Sequence, residues 1–127
     1  MLISVGFSHQ EILMSQVQAQ QEWGRLGERS VGAQADRDTI IVTGSQGTFR
    51  QLKFVVLRHP IRIYRIVVHY GNGRSETIET RELIRAGSES RVINLRGGDR
   101  VIKKIDFWYE TKSLGKNRAI IRVYGRS

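Results

Sequence analysis

Residues 90–110, S-R-V-I-N-L-R-G-G-D-R-V-I-K-K-I-D-F-W-Y-E, constrain the fold more than any other stretch of the chain. Strand side chains alternate with period two, so Val92, Asn94 and Arg96 share one face and Ile93 and Leu95 the other. Beyond Gly97-Gly98-Asp99, the same alternation places Val101, Lys103, Ile105, Phe107 and Tyr109 together, with Ile102, Lys104, Asp106 and Trp108 opposite. Glycine pairs supply the positive φ of a tight turn, and β-branched and aromatic residues favour strand over helix. The stretch therefore reads as a β-hairpin, with further strands laid against it.

Those further strands follow the same logic. Trp23 opens a strand over 23–31, and Thr39-Ile40-Ile41-Val42 forms a short one ending at the Gly44–Gly47 turn signal. In 49–57, Leu52, Phe54 and Val56 share a face, and His59-Pro60 ends the run because proline cannot donate to a ladder. Over 61–70, Ile61, Ile63 and Val67 oppose Tyr64, Ile66 and Val68, and two apolar faces imply a central position. Gly71-Asn72-Gly73 turns the chain into a strand over 74–81, residues 82–86 suit a helical turn, and 118–124 gives the last strand. About eight short strands at regular spacing indicate an antiparallel β-sandwich, jelly-roll-like, rather than an α/β fold or a five-strand barrel.

Residues 1–22 differ from the remainder. Ser8 and Glu11 match a helix capping box, and the glutamine-rich run after them suits a helix; a flexible segment is the alternative. Val17-Gln18-Ala19 also resembles the small-x-small end of a signal peptide. The expectation is a helical or flexible segment over 1–22 and one domain over 23–127. Periplasmic or secreted placement follows if a start lies upstream, and cytoplasmic placement otherwise.

Charge narrows the partners. Glu11 is the only charged side chain of residues 1–20, so all 21 lysines and arginines follow it, and the net charge is +9. Such a balance draws anionic partners by long-range attraction, and it also serves solubility alone. With no cysteine there is neither a disulfide framework nor a thiolate zinc site. No apolar run approaches the roughly 18 residues of a membrane-spanning helix.

Catalytic patterns are weak. His9, His59 and His69 have no metal-ligand spacing, so neither metal nor cofactor is expected. Asp36 and Asp38 could reach a hard cation as oxygen ligands, although Arg29 and Arg37 beside them favour ion pairing. On a strand, Glu76 and Glu79 face opposite ways, and arginines 74, 81 and 85 surround them as ion-pair partners. No G-x-S-x-G elbow occurs, and Gly97-Gly98 lacks the lysine and helix of a phosphate loop. The reading is non-enzymatic.

Basic and aromatic residues form the strongest lead. Arg58 and Arg96, with Arg62, Arg65, Arg100, Lys103 and Lys104, crowd the central strands, and Tyr64, Tyr70, Trp108 and Tyr109 are interleaved. Arginine forks take phosphate or carboxylate, and exposed rings stack on bases or sugars. Arg62, Arg65, Arg100, Lys103, Lys104 and Trp108 are the expected contacts, unless Trp108 is covered. The partner classes are an anionic polymer or anionic membrane surface, a nucleic acid, or a protein docking on a structural scaffold.

The motifs W-x-x-L-G at 23–27, D-R-D-T-I-x-V at 36–42 and G-x-F-R at 47–50 recur in a recognisable order. They are followed by Y-x-N-G, S-R-V-I-N-L-R-G-G-D-R-x-I and V-Y-G-R. Together they resemble the YaaI-like family of small exported bacterial proteins, a domain of unknown function. The resemblance spans residue 23 to the C-terminus. It implies an exported, periplasmic-type β-protein and brings no catalytic residues.

Overall fold

The computed structural model describes residues 23–43, 47–113 and 118–127; the expectations for residues 1–22 lie outside them. Nine strands occur among the described residues: β1 (Gly24–Val31), β2 (Arg37–Ile41), β3 (Gln51–Leu57), β4 (Ile61–Tyr70), β5 (Ser75–Ile84), β6 (Ser88–Glu89), β7 (Ile93–Asn94), β8 (Ile102–Glu110) and β9 (Ala119–Arg126). They form two antiparallel sheets, one ordered β1-β9-β3 with the short β6 and β7 both on β3, the other ordered β2-β8-β4-β5. This is an all-β sandwich.

The core is what the inward positions of both sheets share. β3 alternates without a break, and Leu52, Phe54 and Val56 are fully buried. Ile121 and Val123 of β9 lie beside them, and Ile63, Ile66, Ile105, Phe107 and Tyr109 meet them from the second sheet. Each such side chain contributes about 1.5–3 kcal/mol by leaving water.

Two irregularities change which residues face out. The ladder around β4 shifts between Ile63 and Arg65, so Tyr64 and Arg65 are both exposed. The parity then reverses, and Ile61, Ile63, Ile66, Val68 and Tyr70 all face the core, correcting the expected split into two apolar faces. One extra residue lets the strand bury every large aliphatic at these positions. A second shift sets Tyr70 opposite Ile102 and His69 opposite Lys104. It buries Ile102 and exposes both Lys103 and Lys104, while Val101 is left outside.

The hairpin expected over 90–110 does not form. β7 pairs with β3 in the first sheet, whereas β8 pairs with β2 and β4 in the second. Gly97 and Gly98 do take positive φ, 85° and 79°, but they carry the chain from one sheet to the other. Local alternation cannot choose between partners, and β4 offers β8 a longer ladder than two residues of β7 can. The helical turn expected over 82–86 is strand up to Ile84, because Ile84 is buried opposite Ile61. The β4–β5 hairpin forms as read: Gly73 sits at φ 86°, and the Asn72 side-chain oxygen accepts from the Arg74 amide at 3.0 Å.

Candidate functional site

The outer face of the β2-β8-β4-β5 sheet is set by register. Trp108 lies opposite Arg37 on β2 and Arg65 on β4, and Arg65 lies opposite Glu79 on β5. One transverse row thus crosses all four strands. The Arg37 guanidinium carbon is 5.1 Å from the Trp108 ring centroid and that of Arg65 is 5.4 Å away, so the half-buried indole lies between two cations. Arg65 Nε also donates to Glu79 Oε1 at 2.8 Å.

The next row is built on Asp106, a carboxylate on the outer face whose side chain is only 6% exposed. Thr39 Oγ1 donates to its Oδ1, His69 Nε2 lies 2.7 Å from its Oδ2, and an Arg37 amino group is 3.3 Å from the same oxygen. Burial pushes this carboxyl up, but the Thr39 and His69 hydrogen bonds and the charge of Arg37 outweigh it and hold it below its usual range. Asp106 is therefore an anionic anchor that fixes Arg37 beside the indole. Lys104 stands in the following row, opposite Ile41 and His69.

Beside Trp108 opens a groove of about 430 Å3, lined by Asp36, Tyr64, Arg65, Glu79, Tyr109 and Glu110 as well as the indole. Tyr64 donates to Glu110 Oε1 at 3.1 Å. Burial and the adjoining Glu110 push the Tyr64 phenol up, so it stays a donor. The groove wall is mixed: aromatic surface, one guanidinium, and three carboxylates.

Of the residues expected from sequence, Arg65, Lys104 and Trp108 share this face. Arg62 borders a neighbouring cavity of about 410 Å3 with His59, Leu83 and Lys112, and its Nη1 donates to the Arg81 carbonyl at 3.3 Å. Arg100 is separate, stacked on Tyr70 at 3.8 Å from the ring centroid, and Lys103 stands exposed at the bulge. A single basic cluster holding all of them is thus corrected: the sheet crossover after Arg96 removes Arg100, and the bulge displaces Lys103. Asp38 is paired with Arg29 at 2.9 Å and accepts from the Tyr109 hydroxyl at 3.2 Å. Among the described residues, no group of three or more histidines and carboxylates could hold a metal ion.

Arg37, Thr39, His69 and Asp106 belong to this face beyond the residues expected from sequence. Asp106 carries a usable signal, an acid between Ile105 and Phe107 in the apolar middle of β8, where a buried charge requires partners. Its partners lie 37 and 67 residues away, and only register brings them in.

Fold and face define an antiparallel β-sandwich domain with a cation-flanked tryptophan on one outer surface. The chain belongs to the family described as Domain of unknown function (DUF2541), whose model matches residues 1–125. No curated protein matches it. It is similar to a solved structure of AlgX from Pseudomonas aeruginosa, at 15% identity and a TM-score of 0.47, over 81% of this chain and 26% of that one. The chain therefore spans about a quarter of that protein's length.

Proposed function

We propose that this is a non-enzymatic binding domain of the bacterial cell envelope that holds an acidic glycan along the outer face of the β2-β8-β4-β5 sheet. The observation that carries the reading is the row Arg37–Trp108–Arg65, an indole flanked by two guanidiniums and held by the Asp106 network. An indole takes the apolar face of a sugar ring, and guanidiniums take its carboxylates in bidentate fashion. Asp36, Glu79 and Glu110 in the groove accept hydrogen bonds from sugar hydroxyls. Sugar hydroxyls supply donors to those acceptors, whereas a phosphate backbone supplies none, which favours a glycan over a nucleic acid. The resemblance to YaaI-like exported proteins supports an envelope location.

The test is binding of the purified chain to an acidic polysaccharide, a neutral polysaccharide, single-stranded DNA and anionic vesicles, each at two salt concentrations. The expected result is preference for the acidic polysaccharide, weakening with salt and lost in Trp108→Ala. Preference for DNA would assign the face to nucleic acid instead. Equal, weak binding to every polyanion, unchanged in Trp108→Ala, would reduce the charge to a solubility feature.

A further inference from the structure

A second cluster of cations lies at the end of the sandwich, where the β4–β5 turn meets the crossover between sheets. A cavity of about 330 Å3 there is lined by Tyr70, Asn72, Arg74, Glu76, Arg96 and Arg100, and it shares no lining residue with the groove beside Trp108. We propose that this cavity is a phosphoryl-binding site, with Arg74, Arg96 and Arg100 as the ligand-contacting cations.

The geometry shows a pre-set arginine with two more beside it. The Arg100 guanidinium carbon lies over the Tyr70 ring, 3.8 Å from its centroid, and its Nη1 donates to the Arg96 carbonyl at 2.8 Å. Gly97 leaves the space this requires: a Cβ there would lie 2.8 Å from Arg100 Nη1, and φ at this position is +85°. The guanidinium is therefore held in place before any ligand arrives, which lowers the entropy lost on binding. Its other donors remain for a ligand.

Glu76 is the one acid of the cavity, and it is already engaged. Its Oε1 accepts from the Tyr70 hydroxyl at 2.6 Å and from the Arg96 amide at 3.0 Å. Burial, then Glu76 itself, push the Tyr70 phenol up, so it remains a donor to that carboxylate. Glu76 thus fixes the crossover rather than closing the cavity with a tight ion pair. Its Oε2 is 3.8 Å from Arg96 Nε, a long contact, and the Arg96 side chain is 91% exposed. The Arg74 side chain makes no hydrogen bond or ion pair among the described residues, and its amide donates to the Asn72 side-chain oxygen.

Charge selects the ligand class. Three arginines against one carboxylate leave two positive charges in excess. A phosphate monoester carries close to two negative charges at neutral pH and presents three acceptor oxygens to arginine forks. The cavity is at the small end of ligand sites, suited to a phosphoryl group and a few further atoms. This site does not depend on the glycan reading, and its failure would leave that reading intact.

The experiment is an amide chemical-shift titration of the 15N-labelled full chain with inorganic phosphate, glycerol phosphate and acetate at matched ionic strength. Vesicles with and without phosphatidic acid form a further arm. Saturable shifts at Arg74, Arg96, Gly97 and Arg100 are expected with both phosphates and not with acetate. Arg74→Gln and Arg96→Gln, at exposed positions where the fold is retained, should each weaken binding about tenfold, the worth of one charged hydrogen bond. Trp108→Ala should leave it unchanged. Selective binding to phosphatidic acid vesicles would place the phosphoryl group on a lipid, whereas binding of the soluble phosphates alone would place it on a small molecule. No saturable shift, an equal response to acetate, or insensitivity to both arginine substitutions would overturn the proposal.

Discussion

Gly27 on β1 approaches Ile41 on β2 so closely that a Cβ at position 27 would lie 2.8 Å from the Ile41 carbonyl oxygen and 2.7 Å from Ile40 Cγ2. The two strands belong to different sheets, and the Thr43 amide donates to the Leu26 carbonyl at 3.0 Å beside this contact. The sandwich is stitched together at that corner, and the glycine permits it. Gly27→Ala should cost about 1–3 kcal/mol by overpacking against backbone that cannot rotate away. Urea denaturation would measure it, and an unchanged midpoint would show that the corner yields.

Asp106 makes stability depend on acid in a defined direction. Its folded value lies below the ordinary 3.8, so the stabilisation it provides is fully present above that pH and is lost as pH falls through the folded value. Asp106→Asn should therefore be less stable than the parent at pH 7, by about 2 kcal/mol for the loss of charged hydrogen bonds. The difference should vanish once pH is well below 3.8. Denaturation midpoints of both proteins along a pH series would show the curves converging.

Arg65 has two partners, Glu79 and the Trp108 ring. Arg65→Ala should alter Trp108 emission, read in a Trp23→Phe background because the chain has two tryptophans. Stability should fall by only about 0.5–1 kcal/mol, since cation–π contacts and ion pairs at exposed sites contribute little. Glycan affinity should fall further than stability does. Equal effects on both would make Arg65 a support of the fold rather than a contact.

Arg58 takes φ 77° in the turn that carries the chain from β3 to β4. A side chain in that region costs about 1–2 kcal/mol, and glycine there is unstrained. Arg58→Gly should raise stability by about 0.5–1 kcal/mol after the greater freedom of its unfolded chain is subtracted. A rise in Tm would confirm the sign; a fall would mean that the Arg58 side chain stabilises the turn.

The features legible in the sequence were those whose cause is local. Gly71-Asn72-Gly73 turns where it should because its own backbone requires it, and Leu52, Phe54 and Val56 face inward because β3 is regular. Where a partner strand decides, the local pattern is silent. Ile93 and Leu95 look like one arm of a hairpin with β8, yet they are buried where the chain runs along β3 in the first sheet. The extra residues at Tyr64 and Lys103 were invisible because bulges form only when two strands are paired. The site divides the same way: Trp108 and Lys104 follow from alternation within a strand, whereas Arg65 is turned outward by the β4 bulge and Arg37, His69 and Thr39 join them by register. Arg100 departs from this face for the same reason that Ile93 departs from β8: its neighbour lies in the other sheet.

Glu28 and Arg122 meet at 2.8 Å across 94 residues, one ion pair in the antiparallel ladder of β1 and β9. During synthesis, β1 leaves the ribosome with no neighbour in its own sheet until β9 follows nearly the whole domain later. The second sheet can assemble from β4, β5 and β8 sooner. Topologies of this kind fold slowly, because distant ends must meet before contacts repay the lost chain entropy. A nascent chain halted before Ala119 would therefore carry an unpaired β1 edge and a half-covered core, the form most exposed to aggregation.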